Sequence, residues 1–148
     1  FRFNFRGVGE SQGEFSGGLG EAADVEAAIS FMSTLKESDP SRIGLAGYSA
    51  GAGFGFGVGC SDARIKALAA VSPPLNMFDF DSLKDCHKPK LLMSGGEDSF
   101  TPADQFLEFC RDLAEPEEHQ IVEGADHFWR EYESVLASRV TAFFNRVL

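Results

Sequence analysis

Basic side chains are in short supply: 13 Lys and Arg stand against 23 Asp and Glu, for a formal net charge of −10. Binding a phosphate backbone needs clustered cations, so nucleic acid is excluded as a partner class. The acidic excess reads instead as a solvated surface. Cysteine is scarce as well. Cys60, Cys86 and Cys110 are odd in number, and no two have C-x-x-C spacing. This argues against a disulfide framework and against a zinc site, and favours reduced thiols in a cytoplasmic protein. No apolar run approaches the ~18 residues that would span a bilayer, so no membrane is expected among the partners. No Met opens the chain. It begins at Phe1, within an alternating segment, and a truncated amino terminus is expected. Repeats, linkers and low-complexity tracts are also missing, and the 148 residues fit a single domain over 1–148.

What is present is regular. Phe1, Phe3 and Phe5 alternate with Arg2 and Asn4, the period of a strand. After a Gly-rich loop, Ala22, Val25, Ile29 and Met32 recur at helical spacing, with Asp39-Pro40 as the expected stop. Ile43 to Gly47 reads as a strand and Ala50 to Cys60 as a helix, although glycines fill alternate positions from Gly51 to Gly59. Each glycine costs a helix about 1 kcal/mol against Ala, so this one needs tertiary support. Strands follow at Ile65 to Val71, Lys90 to Ser94 and His119 to Val122, with one helical turn expected around Asp79 to Leu83. Thr101 is the expected N-cap of the next helix, with Pro102 at its first position and Asp104 near its positive end. Tyr132, Leu136, Val140, Phe143 and Val147 mark the closing helix. Strand–helix alternation predicts an α/β fold, a mostly parallel sheet with helices on both faces.

Gly47-Tyr48-Ser49-Ala50-Gly51 is a G-x-S-x-G pentapeptide. Alone it is weak. Between an apolar strand and a helix it has the setting of a nucleophile elbow, a tight turn that exposes the serine hydroxyl. Serine becomes nucleophilic only when a base takes its proton. Of the three histidines, His87 and His119 precede or begin strands and fall at the amino edge of a parallel sheet. His127, in Gly124-Ala125-Asp126-His127-Phe128, follows a strand and falls at the carboxyl edge, where open α/β sheets bind ligands. Asp98, in the loop after Ser94, is the favoured acid to orient that base. Glu97, Asp104 and Asp126 are its rivals. The chain order Ser, Asp, His is that of α/β-hydrolases.

On these motifs the chain resembles the α/β-hydrolase superfamily, amino-terminally truncated and of a small capless type near dienelactone hydrolases and S33-type serine peptidases. Phe3 to Ser11 resembles the strand and turn before the helix leading to the nucleophile strand. Gly47 to Gly51 resembles the elbow, Gly95, Asp98 and Pro102 the acid loop, and Gly124 to His127 the histidine loop. The resemblance implies a serine hydrolase acting on small carboxylic esters, with Ser49, Asp98 and His127 catalytic and no metal or organic cofactor. It implies that the backbone N–H of Ala50 is one oxyanion donor, the second coming from a segment upstream of Phe1. It also implies a further strand between Phe1–Phe5 and Ile43–Gly47, so the chain alone is expected to have low activity and marginal stability. Tyr48, Phe100 and Phe128 are the expected substrate contacts. Phe54, Phe56, Phe78, Phe100, Phe128 and Trp129 are candidate walls of an acyl pocket, although for each taken singly a core position is the better expectation.

The alternatives are a peptidase or amide hydrolase of the same fold, or a non-catalytic binding protein built on it. A nucleotide-binding loop at Gly7-Val8-Gly9 departs from the dinucleotide fingerprint by one residue, because the next glycine is Gly13. Assembly leaves no mark on the sequence, and a homodimer is the common default.

Overall fold

The computed structural model describes all 148 residues. Helix α1 (Leu19–Thr34) leads into strand β1 (Ile43–Tyr48), helix α2 (Ala50–Ser61) and strand β2 (Ile65–Val71). After a single 3₁₀ turn at Asp81–Leu83 come β3 (Lys90–Gly95), α3 (Ala103–Arg111), β4 (Glu117–Val122) and α4 (Glu133–Val147). The strands form one sheet in the order β1-β2-β3-β4, with every pairing parallel. A parallel sheet needs cover on both faces. Alternate residues provide for it: Leu68, Ala70 and Leu92 pack under α1, α2 and α3, with Val25, Ile29, Phe56 and Phe106. Ala67, Ala69, Leu91 and Met93 face the other way, onto Phe143 of α4 and Trp129.

Several boundaries differ from the sequence reading. Phe1–Phe5 is not a strand, because nothing lies alongside it to complete a ladder. Phe1 instead stacks on Phe3, Phe3 packs edge-on against Phe5, and Phe5 edge-on against Phe54. A cleft of about 760 Å³ separates it from β1 and reaches Gly47, Tyr48 and Gly51. It lies where the resemblance implies a further strand, and β1 pairs only with β2. Helix α1 starts three residues early because Glu21 folds back to accept hydrogen bonds from the Ser16 and Gly18 N–H groups. It ends at Thr34, well before Asp39-Pro40, as Leu35 turns to extended backbone. The N-cap of α3 is Pro102, not Thr101. The Thr101 hydroxyl is occupied elsewhere, donating to the Pro73 carbonyl at 2.6 Å. Strand β4 starts at Glu117, two residues before His119, because Glu117 pairs with Lys90 and extends the ladder.

The glycines of α2 serve two surfaces. A Cβ on Gly59 would lie 2.7 Å from Leu68 and 2.9 Å from Leu45, so that end of the helix rests on the sheet. A Cβ on Gly53 would collide with the Phe78 ring, while Gly57 faces open space.

Candidate active site

The chain leaves β1 at Tyr48 and turns so sharply that Ser49 takes φ 50° and ψ −122°, a region costing a non-glycine residue about 1–3 kcal/mol. Neighbouring strands hold the turn: the Ser49 N–H donates to the Val71 carbonyl at 2.8 Å, and the Ser72 N–H to the Met93 carbonyl at 2.7 Å. Gly47 is required sterically, since a Cβ there would lie 2.6 Å from the backbone of Ala52. Gly51 is under no such constraint, since a Cβ there would meet nothing within 4 Å. Ala50 occupies the first position of α2, where N–H groups have no partner inside the helix.

Ser49 Oγ lies 3.0 Å from His127 Nε2. The other ring nitrogen, Nδ1, is 2.9 Å and 3.0 Å from the two oxygens of Asp98. A carboxylate only accepts, so Nδ1 carries the ring proton and Nε2 is left to accept from the Ser49 hydroxyl. Asp98 is itself fixed by the N–H groups of Phe100 (2.9 Å) and Thr101 (3.2 Å) on Oδ1. Its side chain is fully buried and that of His127 is 7% exposed, so water competes little for either.

The structure therefore brings together Ser49, Asp98 and His127, which sequence places on three separate loops. The rivals point elsewhere. Asp126 accepts from the Phe128 N–H within its own loop, Glu97 is exposed, and Asp104 sits in the first turn of α3. His87 bonds the Glu115 carbonyl and His119 pairs with Glu117, both away from the carboxyl edge.

Tyr48, Phe100 and Phe128 surround the imidazole, with ring centroids at 5.7, 4.4 and 5.4 Å. All three are substantially exposed and form an apolar rim. Tyr48 also has a structural tie: its hydroxyl donates to the His127 carbonyl at 2.9 Å. Burial, followed by the charges of Asp98 and Asp126, raises its phenol pKa, so it stays protonated and remains a donor. Phe56 and Trp129 are core residues, and Phe54 and Phe78 pack on each other in a separate cleft.

Sequence reasoning missed what joins the loops. The Trp129 indole N–H donates to Ser72 Oγ at 3.0 Å, both side chains buried, and ties the histidine loop to the end of β2. Gly96 and Glu97 donate backbone N–H groups to Val122 and Ala125, each at 2.9 Å, and join the acid loop to the histidine loop. A Cβ on Gly95 would lie 2.2 Å from the Ala125 carbonyl oxygen. The single tryptophan two residues after His127 was the one available signal for this seam.

A parallel sheet, a strained serine between β1 and α2, and an acid and a histidine on the loops after β3 and β4 define an α/β-hydrolase domain. Within that class the chain belongs to the dienelactone hydrolase family, whose model matches residues 19–142. An uncharacterised protein of Rickettsia prowazekii is 34% identical over 137 residues, covering 87% of this chain and 57% of its own length. A serine hydrolase homologue from Coxiella burnetii is 32% identical with a TM-score of 0.85, over 99% of this chain and 68% of that one. A lidless α/β serine hydrolase from Xanthomonas campestris is 26% identical, also with a TM-score of 0.85, over 99% of this chain and 66% of that one. The chain thus spans little more than half the length of the curated relative.

Proposed function

We propose serine hydrolase activity, the cleavage of small carboxylic esters through an acyl-enzyme on Ser49. The observation that carries this is the continuous line from Ser49 Oγ through both nitrogens of His127 to Asp98. His127 Nε2 takes the hydroxyl proton as Oγ attacks the ester carbonyl. Asp98 holds the ring and offsets the charge of the imidazolium. The oxyanion forms beside the Ala50 N–H at the start of α2, where the helix dipole favours negative charge. His127 then protonates the departing alkoxide. Next it deprotonates a water that attacks the acyl-enzyme, and Ser49 is released with the carboxylic acid product.

Small substrates fit the surroundings. The stretch between β2 and β3 holds only one 3₁₀ turn, too little to form a lid. Ser49 therefore opens onto the rim of Tyr48, Phe100 and Phe128, which suits a short acyl chain better than an extended lipid.

A fluorophosphonate probe tests the nucleophile without requiring turnover. Wild type should label on Ser49 and the Ser49→Ala variant should not, while His127→Ala should label far more slowly. In p-nitrophenyl acetate and butyrate assays, Asp98→Asn should lose about 10⁴ in kcat, because the wrong tautomer then faces Ser49. Equal labelling of wild type and Ser49→Ala would remove the assignment.

A further inference from the structure

At the amino end of the sheet, far along the strands from Ser49, three side chains with metal-ligating atoms converge. Cys110, Glu117 and His119 place a sulfur, a carboxylate oxygen and a ring nitrogen within 4.8 Å of one another. Two local periodicities create the cluster. Glu117 and His119 are two apart on β4, so both project from the face covered by α3. Cys110 lies one helical turn after the core residue Phe106, on the inner face of α3. The Phe106 ring in turn lies 6.4 Å from the His119 imidazole.

We propose that Cys110, Glu117 and His119 form a zinc site that clasps the edge strand β4 to α3. The donor set is one of thiolate, carboxylate and imidazole, the three ligand types zinc takes. Tetrahedral bonds of about 2.0–2.3 Å put ligand atoms roughly 3.4–3.6 Å apart. His119 Nδ1 and Glu117 Oε1 stand at 3.0 Å, so zinc binding opens that pair slightly and draws in the Cys110 sulfur, which lies within 4.8 Å of both. The ligands are graded in exposure. Cys110 is buried, the Glu117 side chain is 9% exposed and that of His119 39%, which leaves an entry path and a fourth position for water.

His119 is the sole side-chain hydrogen-bond partner of the Glu117 carboxylate. The remaining charged groups nearby are Glu115 and Lys90. The Lys90 ammonium is turned aside onto the Ala114 carbonyl, and burial lowers its pKa. On binding, the Cys110 thiol gives its proton to solvent as the sulfur–zinc bond forms, so affinity should rise with pH.

Isothermal titration of the metal-stripped chain with zinc chloride tests the site, together with cobalt substitution read by absorbance. One equivalent should bind with proton release, and the thermal midpoint should rise with zinc concentration. His119→Ala, a change at a partly exposed side chain, should weaken binding by about tenfold or more while circular dichroism shows the fold retained. Cys110→Ser should abolish the cobalt–thiolate charge-transfer band. His87→Ala should bind as wild type does. Absence of zinc binding overturns the proposal. So does zinc binding that survives His119→Ala, or that is lost instead in His127→Ala, which would move the metal to the Ser49 site. None of these readouts depends on ester hydrolysis.

Discussion

Tyr48 shows how much one side chain at the elbow can carry. It is an expected substrate contact, and its ring borders the open rim. Its hydroxyl, however, is spent on the His127 carbonyl. A hydrogen bond of this kind contributes about 0.5–1.5 kcal/mol net, so its loss should loosen the histidine loop by a similar amount. Tyr48→Phe keeps the ring and removes only the tie. The expected result is a kcat lower by up to about tenfold with KM little changed, because the misplaced imidazole affects proton transfer and not ground-state binding. Steady-state kinetics on p-nitrophenyl butyrate separate the two parameters. A rise in KM alone would return Tyr48 to a purely substrate-binding role.

Helix α2 is where local propensity and packing disagree. Its alternate glycines are poor helix formers, yet they form twelve residues of helix. The compensation is unequal along its length, and that inequality can be measured. Gly57 faces open space, so Gly57→Ala should stabilise the chain by about 0.5–1 kcal/mol through reduced unfolded-state entropy. Gly59 lies against Leu68 and Leu45, so Gly59→Ala should instead destabilise by about 1–3 kcal/mol by forcing the helix off the sheet. Urea midpoints of the two variants should move in opposite directions. If both stabilise, the close approach of α2 to the sheet is wrong.

Over the whole molecule, the charge balance sets the response to acid. Asp24 and Asp62 have pKa values held below the usual carboxylate range, chiefly by hydrogen bonds from Arg6 and Arg64. Between the folded and unfolded values the unfolded chain binds more protons, so stability rises with pH across that window. The contribution is complete above about pH 5 and is lost as pH falls through the folded values. Arg6 and Arg64 are partly exposed, so each pair contributes modestly. In Arg6→Ala the urea midpoint should be lower at neutral pH and should fall less between pH 5 and pH 3 than in wild type. An unchanged acid slope would show that Arg6 does not hold Asp24 in solution. The Arg6–Asp24 fork, bonded at 2.8 Å, also fastens the Phe1–Phe5 segment to α1 across the cleft from β1.

Local pattern by itself determined the alternation of strands and helices, the parallel sheet, and the three loops that bear Ser49, Asp98 and His127. Each of these rests on residue spacing, turn chemistry or chain order within a few positions of sequence. Tertiary structure decided what depends on neighbours distant along the chain. Phe1–Phe5 has strand periodicity but no ladder, because a strand exists only through a partner's hydrogen bonds. Thr101 has a capping side chain, but the Pro73 carbonyl takes its hydroxyl. Trp129 and Ser72 lie 57 residues apart, and Cys110 meets Glu117 and His119 only where α3 folds back over β4. Such contacts belong to the packed layers, where a side chain's role is set by whatever the fold brings against it.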